Sequence, residues 1–491
     1  MGDINREKLF VGSCISLIAS AMTFAVLSSI MDPLKKEFLL NNAQVGLIGG
    51  AALWGFPISI LIFGPLCSVL GMRFLLRLAY VFFILGVGVM VLAQGFWMLF
   101  LGALAIAFAN GLVEGACNPL VATIYPDHKV QKLNQFHVWF PGGIVIGGLL
   151  CFAMDQMQIG SWQIKVGMIL VPAAISMAMM FFEEFPLTER AQSGVSFGNM
   201  ISATLFRPLF ILLFLCMMMT ASVELGPNRW IPTVLDSAGI HGMLVLVWTS
   251  LLMAILRQFS GSAVERLSPT GMLLSSAILS GIGLFMLSYA ETYATVFVAD
   301  TIFAVGVCYF WPTMLGVASE RVPKGGEFAM ALLGAAGNIA VGMLTIPLMG
   351  YVADQYGHEK YEMASTTAVV RMATEELPKI RAANPSDADL VATIDTTMAL
   401  ANSVLSSADT QKILPPNDTA NTLRGVITCA PGTDLARQAK DLLNPAELYG
   451  GRMSFRVVSG LAVVLMLIFG ALYASDRMKG GYKAERLGVE A

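Results

Sequence analysis

A carboxyl, an amide and a proline stand within six residues of one another in GLVEGACNP (111–119), as Glu114, Asn118 and Pro119. They lie inside an apolar run from about Phe96 to Ile124, long enough to cross a bilayer. A charged side chain carried into hydrocarbon costs about 2.5–3.5 kcal/mol on insertion scales, so Glu114 is expected against a wetted cavity or a polar partner. There a carboxyl can take up and release a proton, and it can hydrogen-bond a hydroxylated solute in either state. Asn118, four residues on along the same helix face, adds a donor and an acceptor, and Pro119 is expected to break the hydrogen-bond ladder. The plainer reading of the same pattern is a polar residue that packs two helices.

Other residues share this chemistry. Glu224 lies in ASVELGPNRWIP (221–232), where Gly226 and Pro227 are expected to interrupt a seventh apolar helix. Trp230 and Trp311 offer aromatic faces on which the apolar face of a pyranose ring can stack, although Trp230 serves equally well as an interfacial anchor. With Trp54, Asn338 and Gln135, these complete the expected substrate-binding set. Asp300, in YATVFVADTIFAVG (293–306), is either a second proton carrier beside Glu114 or a cap near the headgroups. His137 is the one histidine expected within a span, as a pH sensor or a packing hydrogen bond. Arg257 is expected to snorkel or to act in a conformational latch.

Composition excludes several classes. The 491 residues are 56% hydrophobic and 13% charged, against roughly 25% charged in a soluble domain, which puts the chain in a membrane. A net charge of -3 leaves no basic surface for nucleic acid. The histidines at 128, 137, 241 and 358 and the seven cysteines lack ligand spacing, so no metal, no cofactor and no membrane-embedded enzyme is expected. A GxxxxGK[ST] loop is also lacking, which argues against ATP drive within the chain.

The elements that must position these residues are apolar runs near 9–31, 44–70, 74–94, 96–124, 136–155, 162–182, 207–226, 242–265, 270–288, 292–318, 328–353 and 454–475, making twelve expected transmembrane helices. The first reads as a span and not as a removable signal peptide. The polar link 183–206 divides the runs six and six. The expected organisation is a six-helix bundle over 1–182, helices seven to eleven over 207–354, an outer helical insertion over 355–452, and the last helix with its tail over 453–491. Basic residues crowd the segments that put both termini in the cytoplasm. The halves echo one another. Gly64 to Gly71 answers Gly261 to Ser268, Asn118-Pro119 answers Trp311-Pro312, and Gly143/Gly147 answers Asn338/Gly342, all at offsets near 195. A duplicated chain places its site between the halves, near the midplane. The insertion reads as a helical cap over the outer mouth, or else as a loop without a role in transport.

Twelve spans in two repeated halves, with Gly64-x-Leu66-x-x-x-x-Gly71-x-Arg73 after the second, resemble the major facilitator superfamily. Its loop normally carries an Asp-Arg pair before the second glycine; here Ser68-Val69 stand there, and the second copy keeps Glu265-Arg266. The resemblance implies an all-α fold of two pseudo-symmetric six-helix bundles, with Gly64, Gly71, Arg73, Arg257, Gly261, Glu265 and Arg266 as the latch. LLNNAQVGLI (39–48), GLVEGACNP and LNQFHVWFPGG (133–143) are similar to the fucose:proton symporter group. That likeness implies a monomeric carrier of a sugar or sugar derivative in the bacterial inner membrane, proton-coupled through Glu114 and working by alternating access. The group's first-span acid falls at Ser28, with Asp32 one turn on. A uniporter, or a carrier of lipid, drug or nucleoside, stands as the alternative.

Overall fold

Lipid offers the backbone no partners, so runs of apolar residues close their hydrogen bonds within helices. The computed structural model describes residues 4–40 and 42–487, and its regular structure is helical throughout. Asn41 of the LLNNAQVGLI stretch, residues 1–3 and the tail residues 488–491 lie outside the described residues.

The spans, in order, are Arg6–Glu37, Asn42–Phe63, Met72–Val91, Phe96–Ile124, Lys129–Gln156, Trp162–Met180, Pro208–Asp236, Gly242–Gln258, Ser260–Leu287, Tyr293–Arg321, Pro323–His358 and the apolar part of Asp434–Met478. Among the described residues eleven helices are long and apolar enough to cross a membrane, and the eighth span, at 17 residues, is shorter. The chain is a multi-pass membrane protein of two helical bundles.

Several expected boundaries move. The second span ends at Phe63, and Cys67–Leu70 forms a separate turn closed by Gly71, whose φ of +87° favours glycine. The eighth ends at Gln258 instead of 265, so Gly261, Glu265 and Arg266 open the ninth helix. That helix kinks at Ser268, where the following Pro269 disfavours the helical conformation. The fourth helix runs unbroken through Pro119 and the seventh through Gly226 and Pro227. Gly226 serves close approach: a Cβ there would meet the Thr345 side chain of the eleventh span at 2.7 Å. The eleventh span carries a π-helical segment, Ala340–Thr345, and Thr345 Oγ1 donates across to Ser222 Oγ of the seventh at 2.6 Å. Such segments gather at functional sites.

Between the eleventh and twelfth spans the chain folds into helices Met363–Ala383, Ala388–Gln411 and Pro416–Cys429. They bury Val369, Leu377, Ile394, Leu423 and Val426 in a core of their own. A helix of 45 residues, Asp434–Met478, begins in this cap and continues as the last span; at 1.5 Å per residue it is about 68 Å long. The cap therefore rides on the C-terminal half.

On the face that bears both chain ends the halves meet closely. Gly64 faces Ala331 so tightly that a Cβ would lie 2.3 Å from the Ala331 Cβ, and Gly261 sits against Gln131. Asn134 Nδ2 donates to Thr313 Oγ1 at 3.1 Å. In the linker, Arg190 Nε donates to Glu327 Oε1 at 3.0 Å, and its Nη2 donates to Ser68 Oγ. The serine that replaces the family's usual charge is thus held by a guanidinium from the linker.

Candidate functional site

The fourth span delivers Glu114 and Asn118 to one face, one turn apart, and both are buried. Asn118 Nδ2 donates to Glu114 Oε2 at 3.1 Å, and Asn118 Oδ1 accepts from His137 Nε2 at 3.0 Å. The carbonyl of His137 accepts from Arg257 Nη1 of the eighth span at 3.1 Å, which carries the chain of contacts from one half to the other. Arg257 then pairs with Glu224 of the seventh span, Nη2 to Oε1 at 3.0 Å, and donates Nε to the Cys308 carbonyl at 2.5 Å. Two carboxyls, an amide, an imidazole and a guanidinium so form one connected polar series between the bundles. Glu224 Oε2 is buried and has no hydrogen-bond partner among the described residues, leaving an acceptor open at the chamber wall.

All of these but Asn118 line a chamber of about 50 Å³ whose other walls are Phe24, Phe56, Phe140, Leu225, Trp311 and Asn338. The volume admits a few waters, at about 10–15 Å³ each, and falls far short of the roughly 300 Å³ of a small-molecule pocket. On the face that carries the termini the halves are in contact, which shuts the chamber off from that side. Trp311 lies against the Glu114 carboxyl from the opposite half, and Asn338 is held to its own helix by a bond to the Gly334 carbonyl at 3.1 Å. Polar groups set among aromatic rings are the ordinary make-up of a pocket for a small polar ligand.

Of the expected residues, Glu114, Glu224, Trp311 and Asn338 meet in the chamber, and Asn118 stands directly behind Glu114. The others lie elsewhere. Trp54 is 47% exposed and shares a stripe with Ile58 and Ile62, one turn apart on the bundle surface, so it does not reach the chamber. Trp230 lines a second cavity beneath the cap. Gln135 donates to the Gln258 carbonyl at 3.4 Å, where the halves meet. Asp300 is fully buried between the tenth and eighth spans, its carboxyl taken by Thr249 Oγ1 at 2.8 Å, away from the chamber.

The expected latch divides in the same way. Gly64 and Gly261 make close contacts between the halves, whereas Arg73 donates to the Phe181 carbonyl inside the first half and Glu265 and Arg266 are exposed. Arg257 does not snorkel; 3% of its side chain is exposed, and it belongs to the chamber wall. Sequence reasoning missed Phe24, Phe56 and Phe140, which no motif distinguishes from other apolar residues. It also missed Arg190, a basic residue in a linker where charge is ordinary.

The family model described as Major Facilitator Superfamily matches residues 13–342. A probable sugar efflux transporter of Haemophilus influenzae (strain PittGG) is 22% identical over 349 residues, covering 69% of this chain and 85% of that protein. Monosaccharide-sensing protein 2 of Arabidopsis thaliana is 29% identical over 173 residues, which are 35% of this chain and 23% of the relative, so the match spans about a quarter of that protein. Among solved structures, the fucose:proton symporter FucP of E. coli, crystallised in the outward conformation, aligns with a TM-score of 0.58 at 18% identity over 71% of this chain and 92% of its own.

Proposed function

The chain belongs to the Major Facilitator Superfamily, a family of transporters and not of enzymes, and from that premise we propose that it moves a sugar or sugar derivative across the membrane by alternating access. The two bundles rock about the chamber, and proton symport is the mode that the site's chemistry supports. The observation that carries the reading is the polar series Glu114, Asn118, His137, Arg257 and Glu224, which joins two carboxyls across the boundary between the halves inside an aromatic wall. Glu114 carries the proton, and Glu224 stands where a second acid is needed. This replaces the expectation for Asp300, and Ser28 and Asp32 of the first span are both exposed. Hydroxyls of the solute compete for the Glu224 oxygen that has no partner and for the Asn338 amide. The relatives named as sugar transporters and the fold shared with a sugar:proton symporter support the substrate class.

We place the carrier as a monomer in the bacterial inner membrane, with both termini in the cytoplasm and the cap outside. The test is counterflow and uphill uptake in proteoliposomes with D-glucose, D-galactose, D-xylose and L-fucose. Glu114→Gln is expected to abolish accumulation driven by a pH gradient while exchange of the same sugar continues. Accumulation that survives this change removes the coupling role, and failure of wild-type protein to exchange any carbohydrate removes the substrate class. Uniport is the second reading, supported by the lining of the chamber, to which the first span contributes Phe24 and no acid. It predicts exchange without accumulation in the wild type as well.

A further inference from the structure

A cavity larger than the central chamber lies outside it. It measures about 290 Å³, close to the lower bound of roughly 300 Å³ for small-molecule pockets, and it opens between the cap and the ends of the seventh and eleventh spans. Its floor is Trp230, whose ring lies over Gly350, and its roof is the cap helix that carries Arg424. Arg424 Nε donates to Glu447 Oε1 at 2.9 Å, and its Nη2 stands 3.9 Å from Asp354 Oδ1, so two carboxyls and a guanidinium border one side of the ring. Tyr361 and His358 close the other side, and His358 Nδ1 is buried without a hydrogen-bond partner among the described residues.

We infer that this cavity is a second binding site, an antechamber for a neutral monosaccharide on the cap side of the central chamber. The inference rests on the proposed sugar specificity and adds a site to it. With Asp354 and Glu447 set against Arg424, this wall presents donors and acceptors side by side, a pattern that vicinal hydroxyls of a neutral sugar match because each both donates and accepts. The indole supplies a flat apolar surface for the C–H face of the ring, and the His358 nitrogen supplies an open polar position.

Size supports the assignment. In this conformation the chamber admits water but no hexose, and the antechamber has the room. The two sites share their walls, for the seventh span carries Glu224 to the chamber and Trp230 to the antechamber six residues later, about 9 Å along the axis. The eleventh carries Asn338 to one and Asp354 to the other, with the π-helical segment between them.

Equilibrium binding of radiolabelled D-glucose, D-galactose, D-xylose and L-fucose to the full-length protein in nanodiscs tests this, with proteoliposome exchange of the same sugars measured in parallel. For an exchanged sugar, the wild type is expected to bind two molecules per chain. Trp230→Ala and Arg424→Ala are each expected to bind one, or to weaken one of the two sites at least tenfold. Since Arg424→Ala also removes bonds that seat the cap, Ser237→Trp provides a variant that fills the cavity and leaves the Arg424 contacts in place; it too should bind one. A wild-type stoichiometry of one, or two sites unchanged by Trp230→Ala and Ser237→Trp, overturns the antechamber while exchange leaves the proposed function standing. If no sugar is bound or exchanged, the sugar reading falls and the antechamber falls with it.

Discussion

Arg257→Met tests whether the centre of the molecule is built around a buried ion pair. The guanidinium and the Glu224 carboxyl are 3% and 4% exposed and lie 3.0 Å apart. Glu224 Oε2 has no partner among the described residues, so loss of Arg257 leaves the carboxyl without its one ionic contact. Removing one member of such a pair costs about 3–5 kcal/mol, whereas replacing both by neutral groups of similar volume is often near neutral. With an unfolding entropy of about 2.1 cal/mol/K per residue, 491 residues give roughly 1 kcal/mol per degree if the whole chain melts together, and about half that if one half melts as a unit. The apparent Tm of Arg257→Met in detergent should thus fall by about 3–10 °C. The double variant Arg257→Met/Glu224→Gln should recover at least half of that loss. Transport should stay impaired in both, since neither regains the bond to the His137 carbonyl that ties the halves. Thermal melts followed by intrinsic fluorescence, with sugar exchange alongside, give both readouts. A double variant that melts as low as Arg257→Met, or an Arg257→Met protein that melts with the wild type, would refute the reasoning.

Three further changes address the chamber and its closed face. Trp311→Ala should weaken the apparent affinity for the transported sugar about tenfold, the effect of losing roughly 1.4 kcal/mol, with insertion intact; half-saturation of counterflow measures it, and an unchanged value takes the indole out of the site. Gly64→Leu should block the approach of the second and eleventh spans, because even a Cβ would stand 2.3 Å from the Ala331 Cβ. Alkylation of a cysteine placed at Gln131 should then speed up in Gly64→Leu, and equal rates would show that this contact does not hold the face shut. Arg190→Ala should lower the apparent Tm by leaving Glu327, 1% exposed, without its ion pair, and Glu327→Gln in the same chain should restore part of it. Equal melting of all three proteins would show that the linker does not contribute to the closed face.

The spans were legible because hydrocarbon enforces a simple rule, and Glu114 and Glu224 because an ionisable group inside a span needs a reason. Asp300 gives the same sequence signal as Glu114 and lies elsewhere; what separates them is Thr249 on a neighbouring helix, which only packing reveals. For Arg257 the sequence leaves snorkelling and a latch open and points away from the chamber, because it does not say which way a helix turns its faces. Gly226 and Pro227 read as a break, yet a membrane helix tolerates proline when its neighbours satisfy the freed backbone groups, and the glycine makes room for Thr345. The surface position of Trp54 was available in principle from its spacing with Ile58 and Ile62. The role of Arg190 was not, since its partners Ser68 and Glu327 are 122 and 137 residues away.

The repeat explains why the closed face and the chamber are built by different means. Gly64 of the second span meets Ala331 of the eleventh, and Gly261, its counterpart 197 positions on, meets Gln131 at the start of the fifth. Gln131 and Ala331 are themselves 200 positions apart, so these two contacts answer one another across the halves to within about one helical turn. Matched contacts of this kind suit a rocking of one bundle against the other. The chamber lacks such matching. Where the fourth span brings Asn118 before its proline, the tenth brings Trp311 before Pro312, and where the first half supplies Glu114, the second supplies the Glu224–Arg257 pair. A solute between the bundles therefore meets a carboxyl and an imidazole on one side and an indole, an amide and an ion pair on the other. Two like walls would bind a two-fold ligand best, and unlike walls suit an asymmetric one, such as a pyranose with an apolar face and a hydroxyl-bearing edge.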